Sequence, residues 1–211
     1  WDCSFNKYIT ITQFYKIDKY VTETGAVIKY GSTQDNGTFG TSNDYPESWM
    51  FGQGGDAVDV KIDPTNSSIV YSMMGIYEKP ISFRRLKTTT APTGWSLKES
   101  GISGDAGWAS KLDIDPTNTQ KVFSNAGKNI FWTTNGGTNW TAIGTPRGGN
   151  VLGMRINSDG TLLYYYTDNK DSDFLGEYEW DGSKWNQKSA TSGILKEKVV
   201  NVVPSSTNPD R

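Results

Sequence analysis

One short pattern recurs along the chain and limits what it can fold into. Tyr15-Lys16-Ile17-Asp18 is followed by two near copies, Val60-Lys61-Ile62-Asp63-Pro64-Thr65-Asn66 and Leu112-Asp113-Ile114-Asp115-Pro116-Thr117-Asn118. Met154-Arg155-Ile156-Asn157-Ser158-Asp159-Gly160 is a looser copy, and Val202-Val203-Pro204-Ser205-Ser206-Thr207-Asn208-Pro209 opens a fifth. With Asp18, Asp63, Asp115, Asn157 and Val203 as equivalent positions, the spacings are 45, 52, 42 and 46 residues. A repeat of this length must be one supersecondary unit that buries its apolar face against its neighbours.

Each unit reads as short strands. The first alternates in polarity, as in Val58 to Ile62 and Leu152 to Ile156, and in two units it ends in an Asp-Pro-Thr-Asn turn. A second strand follows at Ala26 to Tyr30, Ile69 to Ser72, Lys121 to Ser124 and Leu162 to Tyr166. A hairpin ending in Trp closes the unit: Phe83 to Trp95, Phe131 to Trp140, Tyr178 to Trp185. No segment has a helical period, and the 23 Gly and 8 Pro fall mostly between strands. These features predict an all-β β-propeller of four-stranded antiparallel blades. The whole span 1–211 is then a single propeller segment, with units beginning near 13, 58, 110, 152 and 199. Four units and a started fifth do not close a ring, so further blades or domains of a longer chain are expected.

The third unit holds the octet Thr133-Thr134-Asn135-Gly136-Gly137-Thr138-Asn139-Trp140. Its Asn-Gly-Gly supplies the positive φ angles of a tight hairpin turn. The octet resembles the Asp-box, or BNR repeat, S-x-D-x-G-x-T-W: Thr133 replaces the Ser, Asn135 the Asp and Asn139 the Thr, while Gly137 and Trp140 match. Trp180-Asp181-Gly182-Ser183-Lys184-Trp185 is a shortened version in the fourth unit. Ile11-Thr12-Gln13-Phe14-Tyr15, followed by Tyr30 to Thr38, is similar to a "QFY … GGTQDNGT" pattern in secreted bacterial members of that group. The resemblance is to Asp-box propellers, which include sortilin-type domains, xyloglucanase-like glycoside hydrolases and sialidases. It implies an extracellular or cell-surface protein that binds a glycan or protein ligand.

Composition narrows the chemistry. The 211 residues carry 21 Lys+Arg and 23 Asp+Glu, a formal net charge of −2, with no basic run. That balance argues against nucleic acid and anionic membrane as partners. No apolar run approaches the ~20 residues needed to span a bilayer. The chain has no His, which excludes a Ser-His-Asp triad, a Cys-His dyad and a His-based zinc or iron site. With one Cys, Cys3, no internal disulfide can form. Aromatic residues make up 13% and suit both strand packing and sugar stacking.

Loop parity sorts the remaining candidates. In an up-and-down blade the octet turns and the Asp-Pro-Thr-Asn turns share one face, so Thr133, Asn135, Gly136, Gly137 and Trp140 are expected to be structural. The opposite face collects Gln34-Asp35-Asn36, Asn125 to Gly127 and Thr167-Asp168-Asn169 from the loops between second and third strands. Inter-blade loops add Gly54 to Ala57, Ser103 to Trp108 and Arg147 to Asn150. Asp35, Asp56 and Asp105 are the candidate catalytic residues there, with Gln34, Asn36, Trp108, Arg147 and Asp168 as candidate ligand contacts. Gathered carboxylates can act as acid and base on a glycosidic bond, hold a hard cation such as Ca2+, or cap backbone amides. The position of Asp35 also resembles that of a catalytic Asp in the xyloglucanase-like hydrolases. A sialidase would need three arginines clamping a carboxylate; of Arg84, Arg85, Arg147, Arg155 and Arg211, only Arg147 falls on a loop of this face. The expectation is a secreted binding or scaffold module, with a fragment of a polysaccharide-degrading glycoside hydrolase as the alternative.

Overall fold

The computed structural model describes residues 13–42, 47–75, 82–87, 94–104, 110–146, 150–158, 160, 162–168 and 172–191. The described strands form four antiparallel sheets, each a simple meander of four consecutive strands. The first blade contains β1 (Phe14–Val21), β2 (Val27–Thr33), β3 (Gly37–Gly40) and β4 (Met50–Gln53). The second contains β5 (Ala57–Asp63), β6 (Asn66–Met74), β7 (Ser82–Lys87) and β8 (Trp95–Leu97). In the third are β9 (Leu112–Ile114), β10 (Val122–Ala126), β11 (Asn129–Thr133) and β12 (Thr141–Gly144). The fourth holds β13 (Asn150–Ile156), β14 (Leu162–Asp168), β15 (Ser172–Trp180) and β16 (Trp185–Thr191). The described sheets do not close into a ring, and the expected fifth unit near 199 and Cys3 lie outside the described residues.

Blades stack by first strands, because β1 lies against β5, and β9 lies against both β5 and β13. Alternation explains why. Val60 and Ile62 of β5 are buried against Ile28, Tyr30 and the second-blade Val70. Leu112 and Ile114 of β9 occupy the same positions and pack with Val58, Ile69, Tyr71 and Met73 of blade two. Met154 and Ile156 of β13 repeat the contact against Phe123, Ile130 and Ile143. Full burial of each such side chain stabilises the stack by about 1.5–3 kcal/mol.

Two polar devices recur across these interfaces. On the first strands a carboxylate accepts the backbone N–H of the next blade: Ile62 donates to Asp18 Oδ2 at 2.8 Å, Leu112 to Asp59 Oδ2 at 3.1 Å and Ile156 to Asp113 Oδ2 at 3.0 Å. At the outer hairpins a Trp indole donates to the preceding blade: Trp140 Nε1 to the Lys98 carbonyl at 2.9 Å, Trp185 Nε1 to the Ile143 carbonyl at 3.0 Å. Both unite apolar burial with a satisfied polar group, which fixes register between blades.

The Asp-Pro-Thr-Asn turns are closed by their own side chains. Asp63 Oδ1 accepts both the amide and the hydroxyl of Thr65 at 2.8 Å, and Asp115 does the same for Thr117 at 2.8 and 2.7 Å. Burial works against ionisation of Asp115, but the Thr117 donors and the Lys121 ammonium at 3.2 Å outweigh it and hold the carboxyl below its ordinary range.

Candidate functional site

The loop between β2 and β3 meets the loop between β4 and β5, as parity requires. Asn36 and Gly55 form an isolated parallel bridge between them. Asp35 adopts φ 60°, a left-handed conformation rare for a side-chain-bearing residue. That geometry turns its N–H toward the second loop, where Asp56 Oδ1 accepts it at 2.8 Å. Gln34 is tied down from β1, its Oε1 accepting the Tyr15 hydroxyl at 2.6 Å, while its carbonyl accepts the Asn36 amide at 2.6 Å. Asp56 in turn offers its carbonyl to the Gly75 amide at 2.7 Å. The result is a braced polar ridge on which the side chains of Asp35 and Asn36 are exposed.

Asp35 and Asp56 are therefore brought together, but not as two free carboxylates. Asp56 caps the Asp35 amide. Asp56→Ala is expected to cost about 0.5–1.5 kcal/mol in urea unfolding, the range for one lost hydrogen bond. A change below the detection limit would mean that water replaces the carboxylate without loss. Asp105, Trp108 and Arg147 lie outside the described residues. Asp168 is not a loop residue: it is the last residue of β14, paired with Ser172. Asn125 and Ala126 also belong to a strand, β10, with Asn125 buried and its Oδ1 accepting the Lys111 amide at 2.7 Å. Among the described residues there is no group of three or more Asp, Glu, Cys or His able to hold a metal ion.

On the other face, the octet is a turn between β11 and β12. Thr133 Oγ1 accepts the Gly137 amide at 3.1 Å and donates to Asn135 Oδ1 at 2.8 Å, which also accepts the Asn139 amide at 3.0 Å. Gly136 and Gly137 have φ 63° and 82°, and Trp140 is buried. In the fourth blade Asp181 organises the shorter turn. The Asn186 side chain and the Lys184 and Ser183 donors hold its carboxyl well below the usual range. The polar side chains of Thr133, Asn135 and Asp181 all bond within their own turns, as a structural role requires. This face also carries an open groove of about 460 Å3 lined by Tyr20, Thr22, Glu23, Thr24, Ala26 and Ser67.

Sequence reasoning missed a third polar cluster, on the axis where the first strands meet. Asp113 accepts Lys61 Nζ at 3.0 Å and lies 3.9 Å from Arg155 Nη1, so one carboxylate links blades two, three and four. Asp59 is fully buried beside it; burial pushes its carboxyl up, opposed by Lys111, Lys61 and the Leu112 amide. The Lys16 ammonium is pushed down by burial and by Arg155. The signal was present: Val-Asp-Val-Lys-Ile-Asp puts a charge at every second position of an innermost strand. It marks an ion-pair cluster where the first strands meet.

No family model and no curated protein matches the chain. Among solved structures, the crystal structure of an ancestral GH74 enzyme matches with a TM-score of 0.64 at 14% identity, covering 83% of this chain and 25% of that one. Another, from work on the de novo evolutionary emergence of a symmetrical protein, matches at TM-score 0.40 and 15% identity, covering 83% of this chain and 74% of that one. At that similarity the second carries no argument. The chain thus spans about a quarter of the GH74 enzyme that it resembles, and the likeness is one of fold. The four described meander sheets, which do not close into a ring, together with this neighbour give the chain the fold of part of a β-propeller.

Proposed function

We propose that the chain is the ligand-bearing part of an extracellular or cell-surface β-propeller that binds a glycan, or a protein, through the ridge Gln34-Asp35-Asn36. The observation that carries this reading is the bracing of that ridge. Asp56 commits its carboxylate to the Asp35 amide and Tyr15 holds Gln34, so exposed amide and carboxylate groups are presented from a fixed backbone. Fixed polar groups lose little entropy on meeting a hydroxyl-rich ligand. The same bonding argues against paired acid–base chemistry between Asp35 and Asp56, since one of the two is already bonded to an amide.

The second reading, a fragment of a polysaccharide-degrading glycoside hydrolase, is favoured by the fold neighbour being a GH74 enzyme. Calorimetric titration with a panel of neutral oligosaccharides, alongside a reducing-sugar assay, separates the two. Binding that weakens about tenfold, or ~1.4 kcal/mol, in Asp35→Asn with no sugar released supports the binding module. Sugar release that Asp35→Asn abolishes supports the hydrolase. Binding left unchanged by Asp35→Asn and by Gln34→Ala removes the ridge as the site.

A further inference from the structure

The groove on the turn face lies between two described blades. One wall is the β1–β2 hairpin of blade one, through Tyr20, Thr22, Glu23, Thr24 and Ala26, and the other is Ser67 at the start of β6 in blade two. Its volume of about 460 Å3 is that of a small-molecule site, ~300–1,000 Å3. The hairpin departs from the corresponding turns of blades two and three. There the acidic side chain is bonded inside the turn, Asp63 to Thr65 and Asp115 to Thr117. In blade one Thr22 closes the turn instead. Its Oγ1 accepts the Ala26 amide at 3.0 Å, its N–H donates to the Ala26 carbonyl at 2.9 Å, and its carbonyl accepts the Gly25 amide at 2.9 Å. Glu23 is left exposed at the tip, with no hydrogen bond or ion pair among the described residues.

The rest of the lining is chosen from a narrow set of groups. The Tyr20 ring is seated on the core shared by blades one and two, so packing fixes it where it lines the groove. The Tyr20 and Ser67 hydroxyls, like Glu23, have no partner among the described residues, and the Thr22 and Thr24 hydroxyls bond each other at 2.9 Å. No Lys or Arg is among the lining residues, so the groove offers nothing to pair with a phosphate, sulfate or carboxylate. A wholly apolar ligand would strip water from these hydroxyls and from Glu23 without replacing it. What satisfies the set is a neutral ring with hydroxyls along its edge and C–H groups on its faces. The carboxylate accepts two O–H donors, the Tyr and Ser hydroxyls both donate and accept, and the aromatic ring covers a C–H face.

We propose that this groove binds one pyranose ring of a neutral sugar. An apolar face of the sugar lies against the Tyr20 ring, two adjacent hydroxyls donate to the Glu23 carboxylate, and the Ser67 hydroxyl of blade two contacts the far edge. The site is on the face opposite the Gln34-Asp35-Asn36 ridge. It goes beyond the reading of that ridge and does not depend on it.

Amide NMR of the 15N-labelled 211-residue chain, titrated with the methyl glycosides of glucose, galactose, mannose and xylose, tests it. Saturable shifts are expected at Thr22 to Ala26 and at Ser67 for at least one of these sugars. A single ring in an open groove should bind with a dissociation constant on the order of 1 mM. Glu23→Gln removes the charge at a position with no structural partner and should weaken binding about tenfold. Tyr20→Phe keeps the ring packed and should weaken it several-fold through loss of the hydroxyl. Circular dichroism melts of both variants check that the fold is intact. No saturable shift in the groove at tens of millimolar sugar overturns the proposal, as do shifts confined to residues 34–37, which assign the sugar to the ridge alone. Binding indifferent to both substitutions overturns it too. So does a groove that responds to ethanolammonium chloride and to none of the sugars, which would make Glu23 a simple cation contact.

Discussion

Asp113→Ala should lower the unfolding free energy by about 3–5 kcal/mol, the penalty for removing one partner of a buried ion pair. Set against a typical domain stability of about 5–15 kcal/mol, a loss of this size is a large fraction of the whole. Three groups lose their partner at once. Lys61 Nζ and Arg155 Nη1 face each other across the vacated position, and the Ile156 amide loses its acceptor. The side chains of Lys61, Asp113 and Arg155 are only 17%, 9% and 15% exposed, so water cannot take over the carboxylate's role cheaply. Replacing all three together, by Lys61→Met, Asp113→Leu and Arg155→Met, should recover part of the loss, because the two cations leave with their partner, while Asp59 still loses Lys61 and the Ile156 amide still lacks its acceptor. Urea unfolding of the single and triple variants decides the point. A loss under about 1 kcal/mol for Asp113→Ala would place the cluster with exposed surface pairs.

The axis illustrates how far the sequence could be read. Four units and the order of their strands followed from alternation and from the Ile-Asp repeat, because strand pairing in a meander is local and needs no knowledge of distant partners. Parity alone also put Gln34-Asp35-Asn36 and Asp56 on one face, where the Asn36–Gly55 bridge joins their loops. The outer hairpin of blade one was not legible. Its strands, Gly-Thr-Phe-Gly and Met-Phe-Gly-Gln, are four residues long, rich in glycine and short of β-branched residues, so they lack a strand signature. Nor could sequence tell what each carboxylate is bonded to. Asp18, Asp59 and Asp113 look alike on paper to Asp63 and Asp115, yet the first three reach into the next blade and the other two close their own turns. That difference comes from inter-blade packing, which no local pattern encodes. For Asp56, amide capping is among the roles its sequence position allows, and only the left-handed conformation of Asp35 shows which amide it caps.

The candidate ridge depends on one residue that carries no chemistry. Gly37 follows Asn36, has φ 77°, and lies so close to the Gln53–Gly54 backbone that a Cβ would fall on the Gln53 carbonyl oxygen. Gly37→Ala therefore combines two costs. The left-handed backbone costs a side-chain-bearing residue about 1–2 kcal/mol. The collision with backbone cannot be relieved by a rotamer change, and must part β3 from β4 or shift the loop that carries Gly55 and Asp56. Gly25, with φ 82° and nothing within 4 Å of where a Cβ would sit, separates the two effects. Gly25→Ala should cost about 1 kcal/mol, from conformation alone. Gly37→Ala should cost at least twice that, about 2–4 kcal/mol, with the excess coming from the displaced backbone. It should also lose the Asn36–Gly55 bridge and the Asp35–Asp56 hydrogen bond, visible as faster amide exchange at Asp35, and with them whatever ligand binding the ridge supports. Equal losses for the two alanines would mean that the β4–β5 loop yields freely, and a ridge built on so soft a support could not hold a ligand in a fixed pose.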